Sequence, residues 1–450
     1  MAVFFTQFNV CPNSNNTHNI KSEGALAACW ILAEDANSAY LKAKFFVERD
    51  EWTIVSSEIS STPVAREMFF GKDIGIKNYD LAILNGSSVY YVAWEKGITQ
   101  ETEFQLKVDD KFDKSLYYKN QSSISKKGYC LHPDREACCN KIIKAHSIQK
   151  HQSLSSIAIN NHVYQMARTA NTSSTLGISY QKQGVNKAST FRGFCKKHDN
   201  ALFEPIDNCV LKPSEEQVFL YAYRSICKEL FEKNKALSLF KEAIQSFTKN
   251  CAEKQLIESM YEGTKNGLNN LIRIKEIYDL TLRERNFSDI KFIIFKCKGK
   301  PNIAFSGLIY PEFDFLGNQI QNLHNMNNSL SLVTVCSAPM SDGWGYLLAW
   351  HTVGGSVGDT FVQSLAEVIN VGVSVEDTLF RFIISSCENH AFSPDWWENI
   401  SPLHRNEIIQ RVTQMTDAMV DTSNDYLQHG LSDIVGWSFE DVVTNLEPCT

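Results

Sequence analysis

Strand-like segments flank a helix-like segment in the first hundred residues of the chain. Residues 24–35 and 51–59 have apolar patterns typical of strands, and residues 36–50 between them have the amphipathic pattern of a helix. This succession predicts a small α/β domain over residues 1–110, of the split βαβ or ferredoxin-like type. No cluster of catalytic side chains stands out within it, so we expect it to serve in packing, dimerisation or partner binding.

Helix-like and then strand-like segments fill the second half of the chain. Residues 214–217, Ser-Glu-Glu-Gln, match a capping box, and apolar residues recur at helical spacing after it and again at 252–285. They predict a helical hairpin over residues 212–286. The strand-like segments, with helix-like segments after Asp359, predict a C-terminal α+β domain over residues 287–450. The strand-like segments are 291–299, 302–313, 330–339 and 345–353.

Composition places the chain among multi-domain globular proteins of the α+β class. Its 450 residues exceed one ordinary core, so we expect about two to four domains. No apolar run approaches the roughly 18 residues that cross a bilayer, and the start lacks the pattern of a signal peptide. The 13 cysteines are odd in number and stand mostly singly within apolar segments. This favours free thiols in a reducing compartment, and we therefore expect a cytoplasmic protein without membrane attachment.

The charge of the chain is unevenly distributed. The net charge of −7 argues against general affinity for nucleic acid, but residues 121–200 contain 12 Lys and Arg against three acidic residues. That segment therefore carries about +9, and such asymmetry is typical of a surface that binds a polyanion. A solvated, lysine-rich surface is the alternative interpretation.

The densest collection of metal-capable side chains lies in the same basic segment, within residues 128–210. Cys195 and His198 form a CxxH pair with the spacing of a zinc knuckle, and Cys130 with Cys138 or Cys139 can supply the second pair. We predict a structural zinc ion bound by four of these residues, with Cys138 and Cys139 left open as alternatives. A small core of reduced cysteines is the competing interpretation. The other metal-capable residues of the segment are His132, His146 and Asp199.

The order of these residues resembles the zinc-stapled HNH, or ββα-metal, nucleases. The apolar stretch 141–148 ends near His146 and lies between the two candidate zinc pairs, as the strand with the catalytic histidine does in that family. The resemblance covers residues 128–207. Ala188 to Thr190 stand where the family has a central asparagine, and 48 residues separate His146 from Cys195. Residues 167–184 within this gap are rich in Thr, Ser and Gly, and we predict a long loop there.

The resemblance implies a role for each matching residue. His146 would be the general base, and Asp199 would help to hold a catalytic Mg²⁺ or Mn²⁺ ion. Zinc would be held by Cys130, Cys138, Cys195 and His198. The residues expected to contact phosphates are Lys141, Lys144, Arg192, Lys196 and Lys197.

The leading hypothesis is therefore a nucleic-acid-directed protein, and the resemblance implies an HNH-like endonuclease acting on DNA or RNA, of the kind that serves bacterial defence. The alternative is a non-enzymatic, zinc-stapled adaptor or complex subunit that binds a protein partner through its C-terminal domain. In that case His146 would only hydrogen-bond a backbone carbonyl in a small core, and Asp199 would only cap a helix.

Overall fold

The computed structural model describes most of the chain, with gaps. Helices account for 44% and strands for 27%, in agreement with the α+β class. None of the helices in the described part combines the length and the apolar character that a membrane crossing requires. The described residues are 2–14, 16, 22–69, 73–95, 123–124, 126–170, 176–247, 252–299, 301–323, 329–416 and 422–447.

The chain divides into two compact units. The first unit comprises Met1–Lys107, Thr169–Gly177 and Met419–Gly430, and the second comprises Val108–Arg168, Ile178–Ala418 and Leu431–Thr450. All four candidate zinc ligands, His146 and Asp199 therefore belong to the second unit.

The first unit is a four-stranded antiparallel sheet with two helices. The strand order is β3-β1-β2-β4. The elements are β1 (Ala2–Pro12), β2 (Ser22–Ala33), α1 (Ala36–Arg49), β3 (Trp52–Val64), α2 (Asp73–Asn85) and β4 (Ser87–Glu95). The succession is thus ββαβαβ, whereas the predicted ferredoxin-like domain has the succession βαββαβ. The prediction missed β1, whose residues Phe4, Phe8 and Val10 are buried and which pairs with both β2 and β3.

The second unit is built on an eight-stranded sheet with helices packed against it. The segment that precedes its two long helices contains β5 (Ala145–His146), β6 (His162–Ala170), β7 (Leu176–Gly184), β8 (Thr190–Phe191) and α3 (Lys196–Asp207). Next come α4 (Glu215–Gln245) and α5 (Ala252–Glu284), then β9 (Ile290–Cys297), β10 (Ile303–Ile309), β11 (Val333–Met340) and β12 (Gly343–His351). The chain continues through α6 (Val357–Asn370), α7 (Val375–Ser386), β13 (His390–Phe392), α8 (Pro394–Asn399), α9 (Pro402–Met415) and β14 (Phe439–Thr444).

The eight-stranded sheet confirms the four predicted strands and corrects the predicted loop. Its order is β14-β9-β12-β11-β10-β13-β6-β7, and β9 to β12 coincide with the four strand-like segments. The predicted loop at 167–184 is wrong, because its described residues form the end of β6 and all of β7. The physical reason lies in Tyr180, which is buried against the rings of Phe392 and Trp397. The polar residues around it mark an edge of the sheet.

Helix α4 links the basic segment to the sheet through a shared core. Phe194 and Phe203, which lie within residues 128–210, belong to the same apolar cluster as Phe219 of α4 and Ile294 of β9. The helix begins where the capping box predicts, since Ser214 Oγ accepts from Gln217 N at 3.4 Å. The Gln217 side chain, however, bonds outside the box, to Lys212 N and Pro205 O.

Candidate metal centre

Four of the predicted zinc ligands converge on one point in the second unit. One ligand atom from each of Cys130, Cys138, Cys195 and His198 lies within 4.8 Å of the other three. Ligand atoms at the corners of a zinc tetrahedron stand about 3.8 Å apart, because the zinc–sulfur bond is about 2.3 Å long. The four atoms are therefore close enough to bind one ion together.

Backbone pairing brings the first and third ligands together. Leu131 N donates to Gly193 O at 2.8 Å, and Ile143 N donates to Phe194 O at 3.1 Å, so extended chain lies on both sides of the segment before Cys195. Gly193 leaves room for the Phe191 ring, since a Cβ atom at position 193 would lie 2.4 Å from that ring. Cys195 is then the N-cap of α3, and its Sγ accepts from His198 N at 3.5 Å.

The structure separates Cys138 from its neighbour Cys139. Cys138 is half-buried within the cluster, whereas the Cys139 thiol is exposed and outside it. Asn140 adopts the left-handed conformation with φ 55°, and a hydrogen bond from its backbone N–H lowers the pKa of Cys138. The turn thus favours the Cys138 thiolate and points the adjacent thiol towards solvent.

His198, the histidine of the cluster, is stacked on a second histidine, His132, to which the sequence analysis gave no role. His198 Nδ1 lies 3.3 Å from Cys130 Sγ, and the His132 ring stacks on the His198 ring with centroids 3.9 Å apart. Burial and the neighbouring His198 lower the pKa of His132 to about 4. His132 was counted only among the other metal-capable residues of the segment, but its ring is half-buried and accepts a hydrogen bond from Asp134 N. Its position two residues after Cys130 was the available signal.

The donor set fits a structural zinc ion. Burial raises the pKa of the Cys130 thiol to about 11, so this sulfur ionises at neutral pH only beside a cation. All the cysteines that the structure describes are free thiols, and no disulfide ties this cluster. Three thiolates and one imidazole form one of the common donor sets of structural zinc.

His146 lies on the short strand next to this centre. Strand β5 pairs with β8, opposing His146 to Thr190. His146 Nε2 is 2.9 Å from Val185 O, and a carbonyl only accepts, so Nε2 carries the proton and Nδ1 is left as an acceptor. Burial lowers the pKa of His146, with smaller contributions from its neighbours, and the ring is therefore neutral at neutral pH. The same hydrogen bond to a backbone carbonyl would also be present if His146 had no catalytic role.

Asp199 occupies the first turn of α3, one residue after His198. Its backbone N–H donates to Cys195 O at 2.9 Å, and its Oδ1 atom is buried without a hydrogen-bond partner among the described residues. Burial raises the pKa of Asp199 to about 6, Arg224 opposes the rise and Asp207 adds to it. The side chain is therefore largely withdrawn from solvent and within electrostatic reach of Arg224 and Asp207.

The five residues predicted to contact phosphates lie close to the metal ligands in the sequence, and all five are at least partly accessible to solvent. Lys141, Lys144, Lys196 and Lys197 are exposed, and Arg192 is half-buried. Within the described part of the chain, none of the five forms an ion pair with a carboxylate. Their charges are consequently uncompensated at short range.

The comparisons with known proteins add no family to this picture. Neither a protein-family model, nor a curated protein, nor a solved structure matches the chain.

Proposed function

We propose that residues 128–210 form a zinc-stapled nuclease module that hydrolyses phosphodiester bonds of DNA or RNA. The observation that carries the proposal is the state of His146, a neutral imidazole whose Nε2–H is bonded to Val185 O and whose Nδ1 is left to accept a proton. Strand β5 with His146 pairs with β8, and helix α3 follows β8, so the three form a ββα arrangement with β6 and β7 inserted between its two strands. The metal centre at the start of α3 gives this small unit a fixed geometry.

In the proposed reaction, His146 Nδ1 takes a proton from a water molecule. The oxygen of that water attacks the phosphorus atom, and the bond from phosphorus to the leaving sugar oxygen breaks. A divalent cation would neutralise the charge that develops on the phosphate and on the leaving oxygen. Mg²⁺ uses one or two protein carboxylates together with substrate oxygens, and Asp199 would be that carboxylate, because it is the acidic residue in the first turn of α3. The residue before His146, Ala145, has no donor atom in its side chain.

The exposed basic residues supply the affinity for the nucleic-acid backbone. Each lysine or arginine that neutralises a phosphate releases condensed counterions, so binding should weaken as salt rises. Because these contacts are made to phosphates, they position the substrate without selecting a base sequence.

A cleavage assay tests the proposal. We expect plasmid nicking in the presence of Mg²⁺ or Mn²⁺ by the wild type, and loss of nicking in His146→Ala with its zinc retained. His151→Ala is the matched control, because His151 is an exposed histidine five residues further along the same segment. Equal nicking by the His146→Ala and wild-type proteins would exclude His146 as the base.

The second candidate is a non-enzymatic adaptor, and the surface of the first unit favours it. Among the described residues of that unit eight large apolar side chains are exposed, about twice as densely as in the described part of the second unit, and exposed apolar surface can bind other proteins. They are Leu41, Phe45, Val55, Ile74, Ile83, Leu84, Tyr90 and Val92. Zinc in the purified protein, with no nicking and no affinity for nucleic acid, would make this function the better account.

A further inference from the structure

The C-terminal turn of α3 is held by side chains from outside the helix. Arg224 donates from both terminal nitrogens to the carboxylate of Asp207, at 2.8 Å each. Gln149 Nε2 donates to Ile206 O and Asp207 O, at 2.5 and 2.8 Å, and Gln217 Nε2 donates to Pro205 O at 2.8 Å. We call Arg224, Gln149 and Gln217 the clamp.

The sequence of α3 explains why this turn needs external donors. Pro205 lies inside the helix and lacks a backbone N–H, so one hydrogen bond of the last turns is missing. The last carbonyls of any helix also lack partners within it, and α3 ends at Asn208 without a glycine cap. The amide groups of Gln149 and Gln217 satisfy these carbonyls instead.

Arg224 lies deep in the structure and makes contacts that only arginine can make. It is 2% exposed, and its guanidinium carbon is 4.0 Å from the centre of the Phe203 ring. A buried cation is stable only with a partner, and the two-pronged bond to Asp207 supplies one. Its Nε atom is buried and has no hydrogen-bond partner within the described part of the chain, and the same holds for Asp199 Oδ1.

The clamp also connects the two sides of the proposed active site. Gln149 follows His146 by three residues, and it bonds to the end of the helix that carries Asp199 and His198. Arg224 and Gln217 come from α4, which belongs to the main core of the second unit. The clamp therefore fixes α3 relative both to the strand of His146 and to the large sheet.

We propose that Arg224 and Gln149 are positioning residues that set the placement of α3 against His146, making the module dependent on α4. This inference rests on the proposed nuclease function for its effect on catalysis, but its structural part does not. Misplacing a catalytic group by about 1 Å can lower a rate about 100-fold, so a loosened α3 should lower kcat. The clamp does not touch substrate, and KM should remain unchanged.

Substitutions at two clamp positions test the proposal. Arg224→Lys keeps the charge but loses the two-pronged geometry, and Gln149→Met keeps the size but loses both donors. Arg285→Lys is the matched control, since Arg285 pairs with Glu216 of α4 at 2.8 Å on the exposed surface. Each variant is measured for hydrogen exchange of the amides of residues 196–208, for zinc transfer to a chelator, and for kcat and KM of plasmid nicking.

For the two clamp variants we expect amide exchange in 196–208 and zinc transfer to be about 10-fold faster, with Arg285→Lys unchanged. We expect kcat to fall about 10-fold or more at constant KM. Unchanged exchange and zinc transfer would overturn the clamp, and faster exchange with unaltered kcat would overturn the positioning role. If the wild type cleaves neither plasmid DNA nor RNA, the nuclease proposal fails, and the exchange and zinc measurements still decide whether the clamp holds α3.

Discussion

Helix α3 is held at its two ends by different chemistry. At its first turn, Cys195 and His198 belong to the metal centre, while at its last turn Asp207 and the neighbouring carbonyls bind the clamp. The ligands of the metal centre all come from one segment of the chain, but the clamp draws on α4 as well. The difference shows that a segment too small for a core of its own combines a local metal site with anchorage to a larger domain.

Removing zinc should release the first turn of α3, and we expect it to have the largest effect on stability. Chelation, or Cys195→Ser, should lower the melting temperature of the second unit and expose the amides of α3, because metal binding contributes directly to the folding of small zinc modules. Thermal unfolding with and without a strong chelator measures the effect. An unchanged melting curve after verified zinc removal would contradict the role given to the metal.

Combining zinc removal with Arg224→Lys tests whether the two ends of α3 depend on each other. If α3 needs both anchors, Arg224→Lys should have little further effect once zinc has been removed, because the helix is already loosened. Hydrogen exchange of residues 196–208 in the four combinations of variant and metal tests this. Simple additivity of the two effects would mean that the ends act independently.

His146→Ala should abolish nicking while leaving both ends of α3 intact. A general base contributes about 100- to 10,000-fold to the rate, so nicking should fall by that order with zinc content and amide exchange unchanged. A loss of zinc in this variant would show that His146 supports the fold instead.

The exposed lysines beside the metal centre should have a smaller effect, on affinity alone. Replacing Lys196 and Lys197 by alanine should weaken nucleic-acid binding and reduce the slope of log affinity against log salt by about 2. Lys265→Ala serves as the control, because Lys265 is an exposed lysine that pairs with Glu262 outside the basic segment. Equal losses of nucleic-acid affinity in the Lys196 and Lys197 double variant and in Lys265→Ala would argue against a local interface.

The smallest expected effect concerns pH. A lowered pKa keeps His146 unprotonated, and thus able to accept a proton, at a lower pH than an ordinary histidine. The acid limb of kcat/KM should therefore have its midpoint below pH 6.5, the ordinary value for histidine. A midpoint above that value, measured on plasmid nicking across pH 5 to 8, would contradict the assignment.

Sequence reasoning found the parts of the site that depend on local spacing. The CxxH pair and the preceding cysteines pointed to the four side chains that the structure brings together. The choice between Cys138 and Cys139 was open, because it depends on the left-handed backbone of Asn140. Similarly, β9 to β12 were visible as apolar segments, whereas β6, β7, β13 and β14 of the same sheet were not predicted, and β7 was hidden by its polar edge.

The missed residues act through contacts that are distant in the sequence. Arg224 meets Asp207 across 17 residues, and Gln149 meets Ile206 across 57. Both are polar side chains within otherwise unremarkable segments, and nothing in their neighbours marks them as buried.

Zinc content of the purified protein is the measurement that tests the central claim most directly. Elemental analysis should find about one zinc per chain in the wild type and in Cys139→Ser, and markedly less in Cys138→Ser. Absence of zinc from a folded wild-type protein that also takes up none from solution would contradict the metal centre, and equal zinc in the two variants would contradict its ligand set.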